Sequence, residues 1–196
     1  MSVCTIRWMK KKSVDIIPIG KVDDKVLERL SLTIKSCFGY PCRINGEWET
    51  PSYAYNPDRK QYYSTMILKE LYAGVKNDSI RTIGVTALDL YIPVFTFVFG
   101  EAQLGSHCAI ISLNRLRQEY YGLPRDDALF LSRAEKEAVH ELTHTFGLTH
   151  CHDVNCIMHA SYTIGDTDVK SNQFCKLCNH KLTFKLDELM KLNKSS

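Results

Sequence analysis

The stretch His140-Glu141-Leu142-Thr143-His144-Thr145-Phe146-Gly147-Leu148-Thr149-His150 decides how the chain is read. His140 and His144 are four residues apart, so on a helix they share one face and can present two imidazole nitrogens to one metal ion. Glu141 adjoins the first of them and can reach a water molecule on that metal. Val139, Leu142 and Phe146 form a separate apolar stripe that would anchor the helix in a core. Gly147 ends the helix, because glycine tolerates the left-handed conformation that a sharp turn needs. That turn brings His150 back to complete a set of three. Three neutral imidazoles leave one coordination position open, which is the arrangement of a catalytic zinc.

Downstream of Gly147 the composition shifts to Cys, His, Asp, Asn and Gly, up to about His180. Cys151 and Cys156 are followed by Cys175 and Cys178, and two such pairs read as a second zinc site. Four thiolates fill a tetrahedral shell, so this site is expected to be structural. Two local disulfides are the alternative. Cys4, Cys37, Cys42 and Cys108 have no partner pattern and read as small apolar filler. His107, His152, His159 and His180 lack ligand spacing, and His152 and His159 read as loop residues.

Upstream, Val14–Ile19, Ile80–Ala87, Val94–Phe99 and Cys108–Leu113 read as strands, with a short strand within Cys42–Trp48. Val22–Phe38 has helical spacing and is stopped by Gly39-Tyr40-Pro41. Asp58–Val75 reads as a second helix. Ser132-Arg133-Ala134-Glu135 reads as a capping box opening the histidine helix. A short helix, Leu182–Leu192, ends the chain. Strands interspersed with helices predict an α/β (α+β) fold with a mixed sheet and a small Cys-rich lobe.

The 196 residues are 44% apolar and 24% charged, so disorder is excluded as the main state. A net charge of +3 argues against a large polybasic face, and no nucleic-acid partner is expected. Lys170, Lys176, Lys181 and Lys185 read as a solvated basic face, since acidic residues are interleaved. No apolar run approaches the ~18 residues of a membrane span. With eight cysteines and no secretory signal read at its start, the chain is expected in the cytoplasm, where thiols persist. Met1–Trp8 is expected to be a dispensable tail.

The segment HELTHTFGLTHC, followed by Cys156-Ile157-Met158 and Cys175-Lys176-Leu177-Cys178, strongly resembles the archaemetzincins, zinc metallopeptidase-like proteins of the metzincin clan. Gly84–Tyr91, Phe97–Ala102 and Ile111–Leu116 look like further family segments, so the resemblance spans about Val14 to Cys178. Two departures are visible. Thr143 stands where a glycine is common, and 16 residues separate Met158 from Cys175, one fewer than the usual spacing. The resemblance implies a metzincin-like twisted mixed sheet with an active-site helix. It implies one metalloprotease-like domain over 1–196, with an upper subdomain at 13–147 and a small zinc-binding subdomain at 148–196. It implies a catalytic zinc on His140, His144 and His150, a second zinc on Cys151, Cys156, Cys175 and Cys178, and thus two Zn2+ per chain. Glu141 would be the general base and Met158 the residue of a Met-turn beneath the zinc. Some metzincins place a tyrosine ligand two residues after that Met. Ala160 stands there in this chain, and Tyr162 is expected to be structural.

The expected activity is peptide-bond hydrolysis on a peptide or protein substrate by a monomer. Thr96–Ala102 is expected to lie above the cleft as an edge strand and to pair with an extended substrate. The rival is a non-catalytic zinc module that binds a protein or nucleic acid through its Cys lobe. A base beside an open metal position favours the enzyme.

Overall fold

Continuous apolar runs, rather than alternation, mark the central strands, and such runs belong to sheets covered on both faces. The computed structural model describes residues 12–74 and 79–194. The expected tail, residues 1–8, lies outside them, as do Cys4 and the end of the expected second helix.

In chain order the elements are β1 (Ser13–Ile19), α1 (Asp24–Phe38), β2 (Cys42–Ile44), β3 (Tyr55–Asn56), β4 (Gln61–Tyr63), α2 (Ser64–Ala73), β5 (Ser79–Thr86), β6 (Leu90–Tyr91), β7 (Gly100–Ala102), β8 (Cys108–Ser112), α3 (Asp127–Thr145), α4 (Ile164–Val169) and α5 (Lys176–Lys194). The main sheet has the order β2-β1-β5-β8-β7. Its first four strands are parallel, and β7 is antiparallel to β8 at the edge. The fold is therefore the mixed α/β arrangement expected. Val14, Ile16, Ala109 and Ile111 face α1 and α3, while Ile17, Ile19, Cys108 and Ile110 face α2. Cys156, Ile157, Met158, Cys178 and Leu182 join the first of these clusters, so the C-terminal segment packs into the core under α3.

Five features differ from expectation. α3 starts at Asp127, capped by the Asp126 carboxylate, which accepts from the Leu129 N–H at 2.9 Å. The expected capping Glu135 instead accepts from Arg29 and Thr33 of α1, both at 2.5 Å. α2 starts at Ser64 because residues 57–60 form the β3–β4 turn, where Asn56 Oδ1 accepts from Asp58 and Arg59 N–H groups. Residues 94–99 are bends, not a strand, apart from a single bridge between Val98 and Leu90. The carbonyls of Phe95 and Thr96 are taken by the side chains of Arg59 and Gln61, so no strand can pair there. α5 starts at Lys176, six residues earlier than expected, and α4 lies in what reads as loop. Its Thr163 and Asp166 form a capping box.

Candidate metal centre and cleft

The fold delivers the three histidines to one point. α3 carries His140 and His144 on one face. Gly147, at φ +92°, lets the chain turn back after the helix, and His150 arrives from the other side. The ligand atoms of His140, His144 and His150 all lie within 4.8 Å of one another, as do those of Cys151, Cys156, Cys175 and Cys178.

Backbone carbonyls orient two of the imidazoles. His140 Nδ1 lies 2.8 Å from the Ile157 carbonyl and His144 Nδ1 lies 2.7 Å from that of Leu148. A carbonyl can only accept, so each Nδ1 carries the proton and each Nε2 keeps its lone pair. Yet the two Nε2 atoms are 3.1 Å apart. Two acceptors facing each other at that distance repel unless a cation lies between them. Metal–nitrogen bonds of about 2.0–2.1 Å in tetrahedral geometry would set a separation of about 3.3 Å, so the donor set fits zinc. Burial first, then the charge of Lys170 and neighbouring histidines, pushes the imidazole of His140 well below 6.5. Burial likewise lowers His144 and His150. Neutral imidazole is the form a metal requires.

The cysteines meet the same test. Cys151 Sγ is 3.8 Å from Cys175 Sγ, far beyond a disulfide bond of about 2.05 Å and close to the edge of a zinc–thiolate tetrahedron. The seven described cysteines are free thiols, so the local-disulfide alternative is not what the structure holds. The Cys178 N–H points at Cys175 Sγ and, with further hydrogen bonds from its neighbours, lowers that thiol to about 7. Burial pushes Cys37, Cys42 and Cys108 up to about 12, 11 and 12, as inert packing groups.

Met158 is fully buried in the core, and its carbonyl accepts from the Cys151 N–H at 2.9 Å. The turn at Ile157-Met158 thus touches both candidate groups: the Ile157 carbonyl orients His140, and the Met158 carbonyl tethers the backbone at Cys151.

Glu141 is buried, and its carboxyl is raised well above 4.5 by desolvation and by the nearby carboxylate of Glu137. It packs on the edge strand. A Cβ on Gly100 would sit 2.5 Å from Glu141 Cγ and 2.8 Å from the Ile110 carbonyl oxygen. Gly100 therefore makes room for the carboxylate, a role that sequence reading missed. A cleft of about 250 Å³ opens beside His140, Glu141 and His150, between Phe95–Gly100 and Ala160–Tyr162. Tyr162 is largely exposed at its mouth, facing the Phe95 ring at 6.3 Å.

Lys170 corrects a sequence reading. It is not on a solvated face: its side chain is fully buried, and Nζ lies 2.8 Å from Glu137 Oε1. The α4 turn folds against α3 and carries it inward. His159 Nδ1 meets the Cys151 carbonyl at 3.0 Å, and His107 Nδ1 meets that of Ile80 at 3.2 Å, so both histidines serve backbone carbonyls. Among the described residues no helix is long and apolar enough to cross a membrane.

The profile of Peptidase family M54 matches residues 1–184. An archaemetzincin of Methanocaldococcus jannaschii is 44% identical, over 85% of this chain and 90% of its own length. One from Pyrococcus furiosus is 43% identical, over 87% and 92%. The crystal structure of archaemetzincin from Methanopyrus kandleri superposes with a TM-score of 0.80 at 31% identity, covering 93% of this chain and 99% of that one. That of a zinc-dependent peptidase from Methanocorpusculum labreanum gives 0.78 at 27% identity, over 87% and 100%. The chain belongs to Peptidase family M54, the archaemetzincin family of zinc metallopeptidases.

Proposed function

We propose that the protein hydrolyses peptide bonds at the three-histidine centre, with Glu141 as general base. The observation that carries this reading is the pair of lone-pair-bearing Nε2 atoms 3.1 Å apart, with a buried carboxylate on the adjacent residue. His140, His144 and His150 would hold the catalytic zinc. Zinc at such a centre supplies a Lewis acid and brings the pKa of a bound water to roughly 7. Glu141 moves the proton: its raised affinity suits it to accept one from the attacking water and release it to the departing amine. Gly100 and β7 fix where that carboxylate stands. An extended substrate is expected to add to β7, the sheet's antiparallel edge, and so pass its scissile bond across α3. Edge pairing is thus proposed for Gly100–Ala102 rather than for the whole of Thr96–Ala102.

Cys151, Cys156, Cys175 and Cys178 would hold a second, structural zinc, giving two per chain, with Met158 as the Met-turn residue. The unit is proposed to act as a monomer, with 148–196 as a lobe organised around the cysteines. Those thiols hold metal only while reduced, which suits the cytoplasm. The test is a peptide-library digest by zinc-loaded protein against a Glu141→Ala control. Cleavage by the wild type alone supports the reading, and cleavage by neither sinks it.

A further inference from the structure

The cleft beside the histidines continues one helical turn past them, toward the start of α3. There it meets Glu137, which precedes His140 by three residues and Glu141 by four and so shares their face. Most of the walls are apolar: Phe95, Phe97, Val98 and Phe99 on one side, Ala160 and Tyr162 on the other. At about 250 Å³ the cleft is smaller than the roughly 300–1,000 Å³ of small-molecule pockets, and it suits a single side chain. A buried carboxylate in such a pocket needs a reason.

Glu137 is 3% exposed and its contacts are one-sided. The Thr167 hydroxyl, at 3.2 Å, and Lys170 Nζ, at 2.8 Å, both fall on Oε1. Oε2 has no hydrogen-bond partner among the described residues. Lys170 itself is fully buried, lacks the alignment of a hydrogen bond, and balances the carboxylate by charge alone. Glu137 lines the cleft with Lys170 paired behind it, so the pair adds no net charge there and still offers an acceptor.

We propose that Glu137 is a specificity-determining residue: it selects substrate side chains with an apolar stem and an uncharged hydrogen-bond donor at the tip, such as glutamine or tyrosine. This rests on the peptidase reading above. A purely apolar side chain would cover Oε2 and leave it without water or partner, which a site built for a donor penalises heavily. A substrate lysine or arginine would have to share one carboxylate with Lys170 out of water, where like charges repel strongly. A substrate carboxylate would face both Glu137 and Glu141.

The test uses one peptide with glutamine, methionine, lysine or glutamate at the varied position. Cleavage is measured with zinc-loaded protein, and binding is measured by calorimetry on Glu141→Gln. Glutamine is expected to exceed methionine and lysine by about tenfold or more in both. Lys170→Met should move the preference to lysine, because the carboxylate then lacks its counter-ion. That variant risks misfolding. The double variant Glu137→Leu/Lys170→Met replaces the buried pair with apolar groups, a change proteins often tolerate, and should favour methionine. Cleavage with no donor preference, or with a lysine preference in the wild type, overturns this proposal alone. A preference for a free N-terminal amine does the same. Donor-selective binding without any cleavage overturns the peptidase reading alone. No binding of any peptide overturns both.

Discussion

Gly100 lacks a side chain because Glu141 fills the space where one would stand. Gly100→Ala pushes a methyl group against both the Glu141 stem and the Ile110 carbonyl, and backbone cannot yield cheaply. We expect a loss of at least about tenfold in kcat/KM, since misplacing a catalytic group by about 1 Å costs on that scale or more. Zinc content should not change, and a wild-type rate from Gly100→Ala would refute the packing argument. Glu141 also has a thermodynamic signature. Its native pKa lies above 4.5, so in metal-free protein its contribution to stability is present below 4.5 and is lost as pH rises through the native value. The histidines act oppositely: native values below 6.5 mean that the unfolded chain takes up protons first and stability falls as pH drops through 6.5. Glu141→Gln keeps the shape without the buried charge. Its metal-free form should melt above the metal-free wild type at neutral pH, and the gain should fade toward pH 4.5. The loaded variant should lose about 10²–10⁴ in kcat with its metals retained. Calorimetric scans at several pH values decide the first point and elemental analysis the last.

At the level of elements, the grip of α3 on α4 shapes the cleft. Arg133 Nε and Nη2 bind the two oxygens of Asp168 at 2.7 and 2.6 Å, Lys136 Nζ meets the Thr167 carbonyl at 2.9 Å, and Glu137 meets Lys170. Three charged residues on two turns of one helix thus fix the segment that follows Ala160–Tyr162. Lys170→Ala strands the Glu137 charge, and removing one member of a buried pair typically costs about 3–5 kcal/mol. Glu137→Leu/Lys170→Met should cost much less than the sum of its parts, and denaturant titration of the double-mutant cycle measures the difference. Additive effects would mean the pair is not coupled. This element also shows where sequence reading stops. The candidate ligand residues are legible in the sequence because their spacing is local, and helix period and turn chemistry place them. Lys170 is not, because interleaved Asp166 and Asp168 look like a solvated face until α4 folds back on α3. Residues 94–99 have strand composition, but Arg59 and Gln61, distant in sequence, take the carbonyls of Phe95 and Thr96. The Thr163–Asp166 capping box marks a helix too short to show a period.

For the whole molecule, the question is how the two proposed metal sites, which share the bond between His150 and Cys151, would divide their work. The histidine site rests on α3, whose Val139, Leu142 and Phe146 are buried in the main cluster through apolar contacts of their own. The cysteine site joins the Cys151–Cys156 turn to the start of α5, elements that are otherwise held mainly through Ile157, Met158, Cys178 and Leu182. Metal held by the cysteines, as proposed, would therefore supply much of the folding free energy of that region. Coupling between the sites runs through the Ile157–Met158 turn, because Ile157 orients His140 and Met158 tethers Cys151. Linkage is reciprocal, so if one metal strengthens the other's site, the second strengthens the first by the same factor. The starting affinities are unequal, however. Four thiolates make a closed shell, whereas three neutral imidazoles bind less strongly and leave a position open to a chelator. Stepwise chelation should remove the histidine-bound zinc first and leave the circular dichroism of the fold intact. Cys175→Ser should lose the cysteine-bound zinc, loosen α5 and weaken the remaining histidine site. Two zincs per chain are expected at the outset. A single zinc in fully loaded protein, or departure of the cysteine-bound metal before the other, would contradict this order, because the closed site would then not be the one that holds the C-terminal region in place.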